Sequence, residues 1–223
     1  MVVIGITGNS GSGKTTVSTI IKNNLNCTVV SADNIAKKIN IPGSEYYKET
    51  IKLMGEEILK EDSTIDRRKL ASILFTNSEI KKQMNEITAR YVGNEIEKII
   101  NEEAEAKENN FIVIDAPLLY ECGIDKLCTY VIAVTCLEKE TKIRRICVRD
   151  RLTRNQAELR LNAQPDSDFY ASKADYVIYN EATTNYLNLV IDVLKVVHKI
   201  KKSEKRKRFI DFQKSKYDKG KNV

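Results

Sequence analysis

The chain has 223 residues, of which 42% are hydrophobic, and a formal net charge of +6. This length fits one α/β domain with insertions, or a core with a small subdomain, and the apolar content argues against global disorder. No run of about 18 apolar residues is present, so we expect no transmembrane helix. Residues 1–7 lack the features of a signal peptide. We therefore expect a cytoplasmic protein that is monomeric by default.

The cysteine, histidine and charge patterns narrow the chemistry. The five cysteines are scattered without a C-x-x-C pair, which argues against a disulfide framework or a zinc site. The single histidine, His198, falls in a late helical pattern, so a Ser–His or Cys–His mechanism is not expected. Eleven Lys or Arg and three acidic residues lie between Lys199 and Val223. Because positive charge is concentrated in this tail, we expect no nucleic-acid partner for the rest of the chain.

Five short apolar runs bounded by turn residues predict β-strands. The runs are nearly continuous, as in parallel strands buried on both faces. The predicted strands are Val2–Thr7, Thr28–Ser31, Phe111–Asp115, Val131–Thr135 and Tyr176–Tyr179. Helical patterns fall between them at Lys14–Leu25, Arg67–Leu74, Ser78–Ala106, Lys139–Arg149, Gln156–Asn162 and Thr184–Lys201. This alternation predicts an α/β fold with a doubly wound, five-stranded parallel sheet and helices on both faces.

Two intervals between strands are longer than a crossover requires. About 80 residues separate the second and third strands, and their helical patterns predict an inserted, substrate-binding subdomain at the carboxyl edge of the sheet. A shorter insertion precedes the last strand and is interpreted as a lid. The predicted parts are a nucleotide-binding core (1–40, 108–140 and 174–200), a helical insertion (41–107), a lid with its flanking helix (141–173) and a flexible basic tail (201–223).

A phosphate-binding loop is predicted directly after the first strand. Residues 8–15 match G-x-x-x-x-G-K-[ST] at every fixed position, with a strand before the motif and a helix after it. Glycines let the backbone fold around phosphate oxygens, and the helix N-terminus presents its positive dipole end to the anion. In such loops the lysine contacts the β- and γ-phosphates and the hydroxyl contacts Mg²⁺. The predicted nucleotide-binding residues here are Gly8, Ser10, Gly11, Ser12, Gly13, Lys14, Thr15 and Thr16.

Two aspartates follow strands at the same edge of the predicted sheet. Asp115 ends the third strand, where an acid of a phosphate-loop protein lies near Mg²⁺, so Thr15 and Asp115 are the predicted metal-site residues. Asp33 follows the second strand and could accept a proton from a substrate hydroxyl. The alternative for Asp33 is a helix N-cap, because an apolar helical pattern begins at Ile35.

Six arginines precede the last strand within 17 residues. Guanidinium groups on a closing lid can neutralise the charge that develops during phosphoryl transfer and exclude water. The alternative is a solvated helix face, which explains most charge runs. The six residues are Arg144, Arg145, Arg149, Arg151, Arg154 and Arg160.

Several ordered motifs make the chain resemble the dephospho-coenzyme A kinase family from residue 2 to about residue 180. The opening residues 5–16 resemble G-x-T-G-x-x-G-S-G-K-[ST]-T, and residues 31–37 resemble D-A-D-x-[IV]-A-R. Residues 115–121, Asp-Ala-Pro-Leu-Leu-Tyr-Glu, resemble D-x-P-L-L-[FY]-E, the most distinctive element. Residues 149–150 and 160–164 resemble R-D and R-[IL]-x-x-Q, and residues 174–180 resemble A-D-x-V-I-x-N.

This resemblance implies an enzyme that uses ATP and Mg²⁺ to phosphorylate the ribose 3′-hydroxyl of dephospho-coenzyme A. It favours Asp33 as the base, with Lys14, Arg145 and Arg149 as further catalytic residues and with Arg149 and Arg160 also on the nucleotide. It implies that the acceptor is bound by Asp33, Lys37, Leu118, Leu119 and Glu121.

The chain departs from the family pattern at several positions. Ser31 replaces the first aspartate of D-A-D, and Ala89-Arg90 replace a His-Pro pair. Lys37 replaces an arginine and loses its bidentate phosphate geometry. These differences concern the acceptor side rather than ATP binding.

Two other functions are considered. Another small-molecule kinase, acting on a nucleoside or nucleotide, would share the phosphate loop and the arginine-rich lid. A regulatory or nucleic-acid-binding protein could instead use the basic tail, where Lys205-Arg206-Lys207-Arg208 could meet phosphates.

Overall fold

A computed structural model describes residues 1–106 and 110–220 of the chain, with side chains described up to Ile210 except that of Arg208. The predicted boundary between insertion and core, at residues 107 and 108, lies outside the described residues, as do the last three residues of the predicted tail. Within the described ranges, the strands are β1 (Val2–Thr7), β2 (Cys27–Ser31), β3 (Phe111–Asp115), β4 (Tyr130–Thr135) and β5 (Tyr176–Tyr179). The α-helices there are α1 (Lys14–Asn24), α2 (Ala32–Ile39), α3 (Glu45–Met54), α4 (Arg67–Thr76), α5 (Ser78–Ala106), α6 (Lys139–Asp150), α7 (Arg154–Asn162), α8 (Ser167–Lys173) and α9 (Tyr186–Gly220).

The five strands form one parallel sheet in the order β2-β3-β1-β4-β5. Asp115 at the end of β3 is in register with Ile6 of β1 on one side and Ser31 of β2 on the other. The carboxyl ends of these three strands are therefore level, and the segments that follow them leave the same edge of the sheet. In sheets of this kind the ligand-binding crevice forms at that edge.

Helices cover both faces of the sheet, as predicted. On one face α1 and α9 bury an apolar cluster that includes Ile20, Ile21 and Val193. On the other face α2 and α5 bury a second cluster that includes Ile35 and Ile96. Burial on both faces explains why the strand sequences are almost uninterrupted apolar runs.

The predicted helical insertion has an apolar cluster of its own. Helix α3, helix α4 and the first half of α5 enclose a group that includes Tyr46, Met54 and Ile87. The later part of α5 contributes Val92 and Ile96 to the cluster under the sheet. A single long helix thus joins the insertion rigidly to the core.

Helices α3 and α8 were not predicted from the sequence, and α2 was indicated only by the apolar pattern that begins at Ile35. Each begins at a polar N-cap, since the Ser31, Ser44 and Asp166 side chains accept hydrogen bonds from backbone N–H groups in the first turn. The N-cap of α2 is therefore Ser31, and the alternative interpretation of Asp33 as the cap is wrong. Asp33 lies within the first turn of α2 and is exposed.

Helix α9 continues through the segment predicted as a flexible tail and is assigned as helix as far as Gly220. The Tyr130 hydroxyl at the start of β4 bonds to Ser203 Oγ at 3.0 Å and to Glu204 Oε1 at 2.8 Å, and it accepts a bond from Lys207 Nζ at 3.0 Å. These contacts join the first part of the basic segment to the sheet. None of the helices in the described residues has the length and apolar content needed to cross a bilayer.

Candidate active site

The phosphate-loop motif forms a tight turn between β1 and α1. Gly13, the N-cap of α1, has a left-handed backbone with φ of 97°. A Cβ atom at Gly13 would lie 2.1 Å from Asn180 Nδ2, and one at Gly8 would lie 2.1 Å from the Val134 carbonyl oxygen. Both positions therefore require glycine. Helix geometry leaves the first N–H groups of α1 without a carbonyl one turn earlier, so they can bind an anion.

Lys14 lies at the base of this loop and is only 8% exposed. Its Nζ donates hydrogen bonds to the carbonyl oxygens of Gly8 and Asn9, both at 2.8 Å. Burial lowers the pKa of Lys14 to about 8, although the nearby carboxylates of Asp115 and Asp33 act in the opposite direction. The amino group of Lys14 is thus held inside the turn of the loop by two backbone carbonyl groups.

Asp115 faces Lys14 from the end of β3. Its Oδ2 accepts a hydrogen bond from Ser18 Oγ at 3.3 Å. Burial raises the pKa of Asp115, while Lys14 and the Ser18 hydrogen bond lower it. Thr15 is exposed beside them at the start of α1. A hydroxyl and a carboxylate therefore border the same space, and both are hard oxygen donors of the kind that Mg²⁺ prefers.

A cleft of 1130 Å³ opens beside the loop and is lined by all three predicted parts of the chain. The core contributes Lys14, Thr15 and Asp115, together with Asp33 and Lys37, one turn apart on α2. The insertion contributes residues of α4, and the predicted lid contributes Arg149, Arg151 and Arg160. The structure therefore brings together the loop lysine, the predicted base and three of the six predicted lid arginines. The residues of α4 on the cleft include Arg67, Arg68 and Phe75.

Two of these lid arginines, Arg149 and Arg160, share one carboxylate, that of Asp150. Arg149 donates to Asp150 through Nε and Nη2, both at 2.8 Å. Arg160 donates to Asp150 Oδ2 through Nη1 at 2.7 Å, and its Nε donates to Ser10 Oγ at 3.1 Å. The Arg149 bonds hold the pKa of Asp150 below its usual range. Asp150 was noted in the sequence only as part of the R-D motif of the family, and no role was predicted for it.

The segment after Arg160 is bonded directly to the phosphate loop. The backbone N–H of Ser10 donates to Gln164 Oε1 at 2.8 Å, and Asn9 Nδ2 donates to the Pro165 carbonyl at 2.5 Å. On the insertion side, Lys81 Nζ donates to the Ala163 carbonyl. The end of the lid thus touches both the loop and α5. Gln164 was noted only as part of a family motif, because a glutamine has no chemical signature of its own.

Arg145 lies on the other side of the loop, away from Asp33. Its guanidinium donates to the carbonyl oxygens of Gly11 at 3.2 Å, Asn180 at 2.8 Å and Glu181 at 3.3 Å. It borders a second groove of 570 Å³ that includes Thr16. The prediction that Arg145 faces the transferring group is therefore not supported, because backbone carbonyls hold its guanidinium outside the cleft. Other residues of this groove are Gly11, Gly13, Thr15, Arg149, Tyr186 and Leu189.

Three of the predicted acceptor-binding residues do not line the cleft. Leu119 is fully buried in the cluster beneath the sheet, with 0% exposure, and Leu118 packs against that cluster. Glu121 Oε1 accepts a hydrogen bond from the Tyr170 hydroxyl at 2.8 Å. These contacts do not support their assignment to the acceptor, because the Pro-Leu-Leu segment turns inward to fill the core and, of this segment, Pro117 lines the cleft.

Comparisons with known proteins agree with this geometry. The profile of the dephospho-CoA kinase family matches residues 2–185. A dephospho-CoA kinase of Bacillus licheniformis is 39% identical over 181 residues, which cover 81% of this chain and 89% of that protein. One from Listeria monocytogenes is 37% identical over 183 residues, covering 79% of this chain and 87% of that protein.

Solved structures give the same result. A dephospho-CoA kinase from Campylobacter jejuni superposes with a TM-score of 0.61 at 27% identity, covering 91% of this chain and 98% of that one. A shikimate kinase from Bacteroides thetaiotaomicron, at 14% identity and a TM-score of 0.52, shares the fold alone. With a family match over most of its length and relatives above 30% identity, this chain belongs to the dephospho-CoA kinase family.

Proposed function

We propose that this chain transfers the γ-phosphoryl group of ATP to the ribose 3′-hydroxyl of dephospho-CoA, giving CoA and ADP. The observation that carries the proposal is the cleft in which the phosphate loop, Asp33 and three lid arginines meet. Family membership supplies the acceptor, because the relatives are dephospho-CoA kinases. The Mg²⁺ requirement and the residue roles below are part of the proposal.

Each of the three predicted parts of the chain has its own role in the proposed reaction. The core (1–40, 108–140 and 174–200) binds ATP, the insertion (41–107) binds dephospho-CoA, and the lid (141–173) closes over the reacting groups. The cleft supports this division, since α4 forms its wall opposite the loop with Arg67 and Phe75. A cation and an aromatic ring suit an acceptor that carries both phosphates and an adenine ring.

Thr15 and Asp115 are the residues that would hold Mg²⁺. Among the described residues, no group of three or more His, Cys, Asp or Glu side chains could hold a metal ion. The phosphates of ATP would therefore complete the coordination, with the Thr15 hydroxyl as a direct ligand and Asp115 acting through the surrounding water. Bound Mg²⁺ supplies positive charge that offsets the charge of the phosphates.

Asp33 accepts the proton of the 3′-hydroxyl as the oxygen attacks the γ-phosphorus. A new O–P bond forms there, and the bond from the γ-phosphorus to the β,γ-bridging oxygen breaks, leaving its electron pair on ADP. Lys14 stabilises the charge on the β- and γ-phosphates, and Arg149 and Arg160 stabilise the equatorial oxygens of the transferring group. Closure of the lid excludes water, which would otherwise compete as the acceptor.

Substitution of Asp33 tests the proposal. Asp33→Asn is expected to lower kcat with dephospho-CoA by about 10²-fold, because the base is lost, while the Kd for ATP stays within about threefold. The matched control is Asp192→Asn, an exposed aspartate on α9 that pairs with Lys195. Turnover is followed by ADP release in a coupled assay, and Kd by calorimetry. A wild-type rate in the Asp33 variant would remove it from the role of base.

The identity of the acceptor is tested on the unmodified protein. Dephospho-CoA, a panel of nucleosides and a panel of nucleotides are compared as acceptors with Mg-ATP. Turnover confined to dephospho-CoA is expected. Faster turnover of a nucleoside or nucleotide would refute the acceptor and favour a different small-molecule kinase with the same fold.

A further inference from the structure

One carboxylate in the cleft is left without a role by the proposed reaction. Asp150 is the last residue of α6, and its side chain is 24% exposed on the cleft wall. It carries the same charge as the phosphates that the cleft would bind, so it cannot serve as a phosphate ligand. Its contacts are instead with the arginines that would serve as such ligands.

The contact geometry brings two cations to one anion. Arg149 Nη2 and Arg160 Nη1 lie 2.8 and 2.7 Å from the same atom, Asp150 Oδ2. Two guanidinium groups this close would repel each other without an intervening negative charge. The Arg149 contact is bidentate, which fixes the plane of its guanidinium as well as its distance. Arg160 is fixed at a second point by Ser10 Oγ in the phosphate loop.

We propose that Asp150 is a positioning residue, whose carboxylate holds Arg149 and Arg160 side by side, directed at the site of the transferring phosphoryl group before nucleotide binds. The inference rests on the proposed function. This arrangement would favour catalysis because the two arginines need no reorganisation when charge develops on the γ-phosphate. Flexible cations would have to be ordered during each turnover, at a cost in rate.

The same pair of helices offers a matched comparison. Glu140 near the start of α6 accepts a bidentate pair of bonds from Arg154 on α7, at 2.8 and 2.7 Å. Asp150 and Arg160 likewise join α6 to α7. The Glu140 pair is exposed on both sides and does not line the cleft. If Asp150 only tied the two helices together, its loss would resemble the loss of Glu140.

The kinetic test compares Asp150→Asn with Glu140→Gln. For Asp150→Asn we expect kcat with dephospho-CoA to fall about 10-fold or more, because misdirected donors stabilise the transition state poorly. The Kd for Mg-ATP should stay within about threefold. Less well oriented arginines weaken binding, but removal of a negative charge from the phosphate site strengthens it. Glu140→Gln should leave both unchanged. An Asp150→Asn kcat within twofold of wild type, or a loss of ATP affinity and thermal stability in proportion to kcat, would overturn the inference.

A spectroscopic readout tests the position of the arginines without turnover. In ligand-free wild-type protein the Nε–H groups of Arg149 and Arg160 should give protected ¹H–¹⁵N signals, assigned through Arg149→Lys and Arg160→Lys. The Arg149 signal should vanish in Asp150→Asn and persist in Glu140→Gln. Its absence from the wild-type spectrum would refute the inference even if Asp150→Asn failed to fold. If the wild type turned over no dephospho-CoA, the proposed function would fail, and these signals alone would then decide the role of Asp150.

Discussion

Lys14 is expected to take up a proton when Mg-ATP binds near pH 8. In the ligand-free protein burial lowers its pKa from 10.5 to about 8. The phosphates of ATP bring several negative charges close to Nζ, which favours the charged form and raises the pKa. The bound state therefore holds more protons than the free state wherever Lys14 is partly neutral, and affinity must be lost as pH rises through about 8.

The magnitude follows from the free-state pKa. With a value of about 8, Lys14 is about one-tenth neutral at pH 7, about half neutral at pH 8 and about nine-tenths neutral at pH 9. Binding should thus take up about 0.5 protons per ATP at pH 8 and weaken by about 10-fold between pH 7 and pH 9. The terminal phosphate has its last pKa at about 6, so it is almost fully ionised at pH 8 and pH 9 and does not offset the proton uptake there.

Calorimetry in two buffers of different ionisation enthalpy measures the proton uptake directly. Titrations of Mg-ATP at pH 7, 8 and 9 should show it growing in that order. Lys14→Arg is the control, because arginine stays charged throughout this range and should bind without proton uptake. A buffer-independent enthalpy at pH 8, together with a flat affinity from pH 7 to pH 9, would refute the reasoning and mean that Lys14 is already fully charged in the free protein.

Two further substitutions test the loop and the long C-terminal helix. Gly13→Ala should weaken ATP binding and lower the free energy of unfolding by about 1–3 kcal/mol, because its Cβ would overlap Asn180 at a left-handed backbone position; unchanged values in calorimetry and urea unfolding would contradict the loop geometry. Tyr130→Phe removes the hydroxyl that bonds Ser203, Glu204 and Lys207, and should cost about 1–2 kcal/mol. It should also speed tryptic cleavage near residue 205, and equal cleavage of both proteins would show that this contact does not hold the segment.

The strands of the sheet could be predicted because each is marked by a short, continuous stretch of sequence. Each strand is a short apolar run that is buried on both faces. The observed strands agree with the predicted ones, except that β2 and β4 each begin one residue earlier, at Cys27 and at Tyr130. The missed helices α3 and α8 have ten and seven residues, and the start of each depends on one capping side chain, Ser44 in α3 and Asp166 in α8.

The candidate site was predictable where a backbone conformation requires a residue type. The glycines of the loop belong to this class, since the tight turn leaves no space for a Cβ atom at Gly8 or Gly13. The roles of long side chains were not predictable, because their direction depends on tertiary neighbours. Arg145 and Arg149 are one helical turn apart on α6, yet one is held by backbone carbonyls and the other by Asp150 in the cleft.

The contacts of Ala163 and Gln164 have a consequence for altering the acceptor preference of this protein. Ala163 accepts a hydrogen bond from Lys81 of α5, and the adjacent Gln164 accepts one from the Ser10 N–H of the loop. These two hydrogen bonds connect the insertion to the loop. A substitution that tilts the first turns of α5 to admit a different acceptor will also move the loop residue. Selections for a new acceptor should therefore recover compensating changes at positions 81, 163 and 164, and variants there will alter the KM for ATP without contacting it.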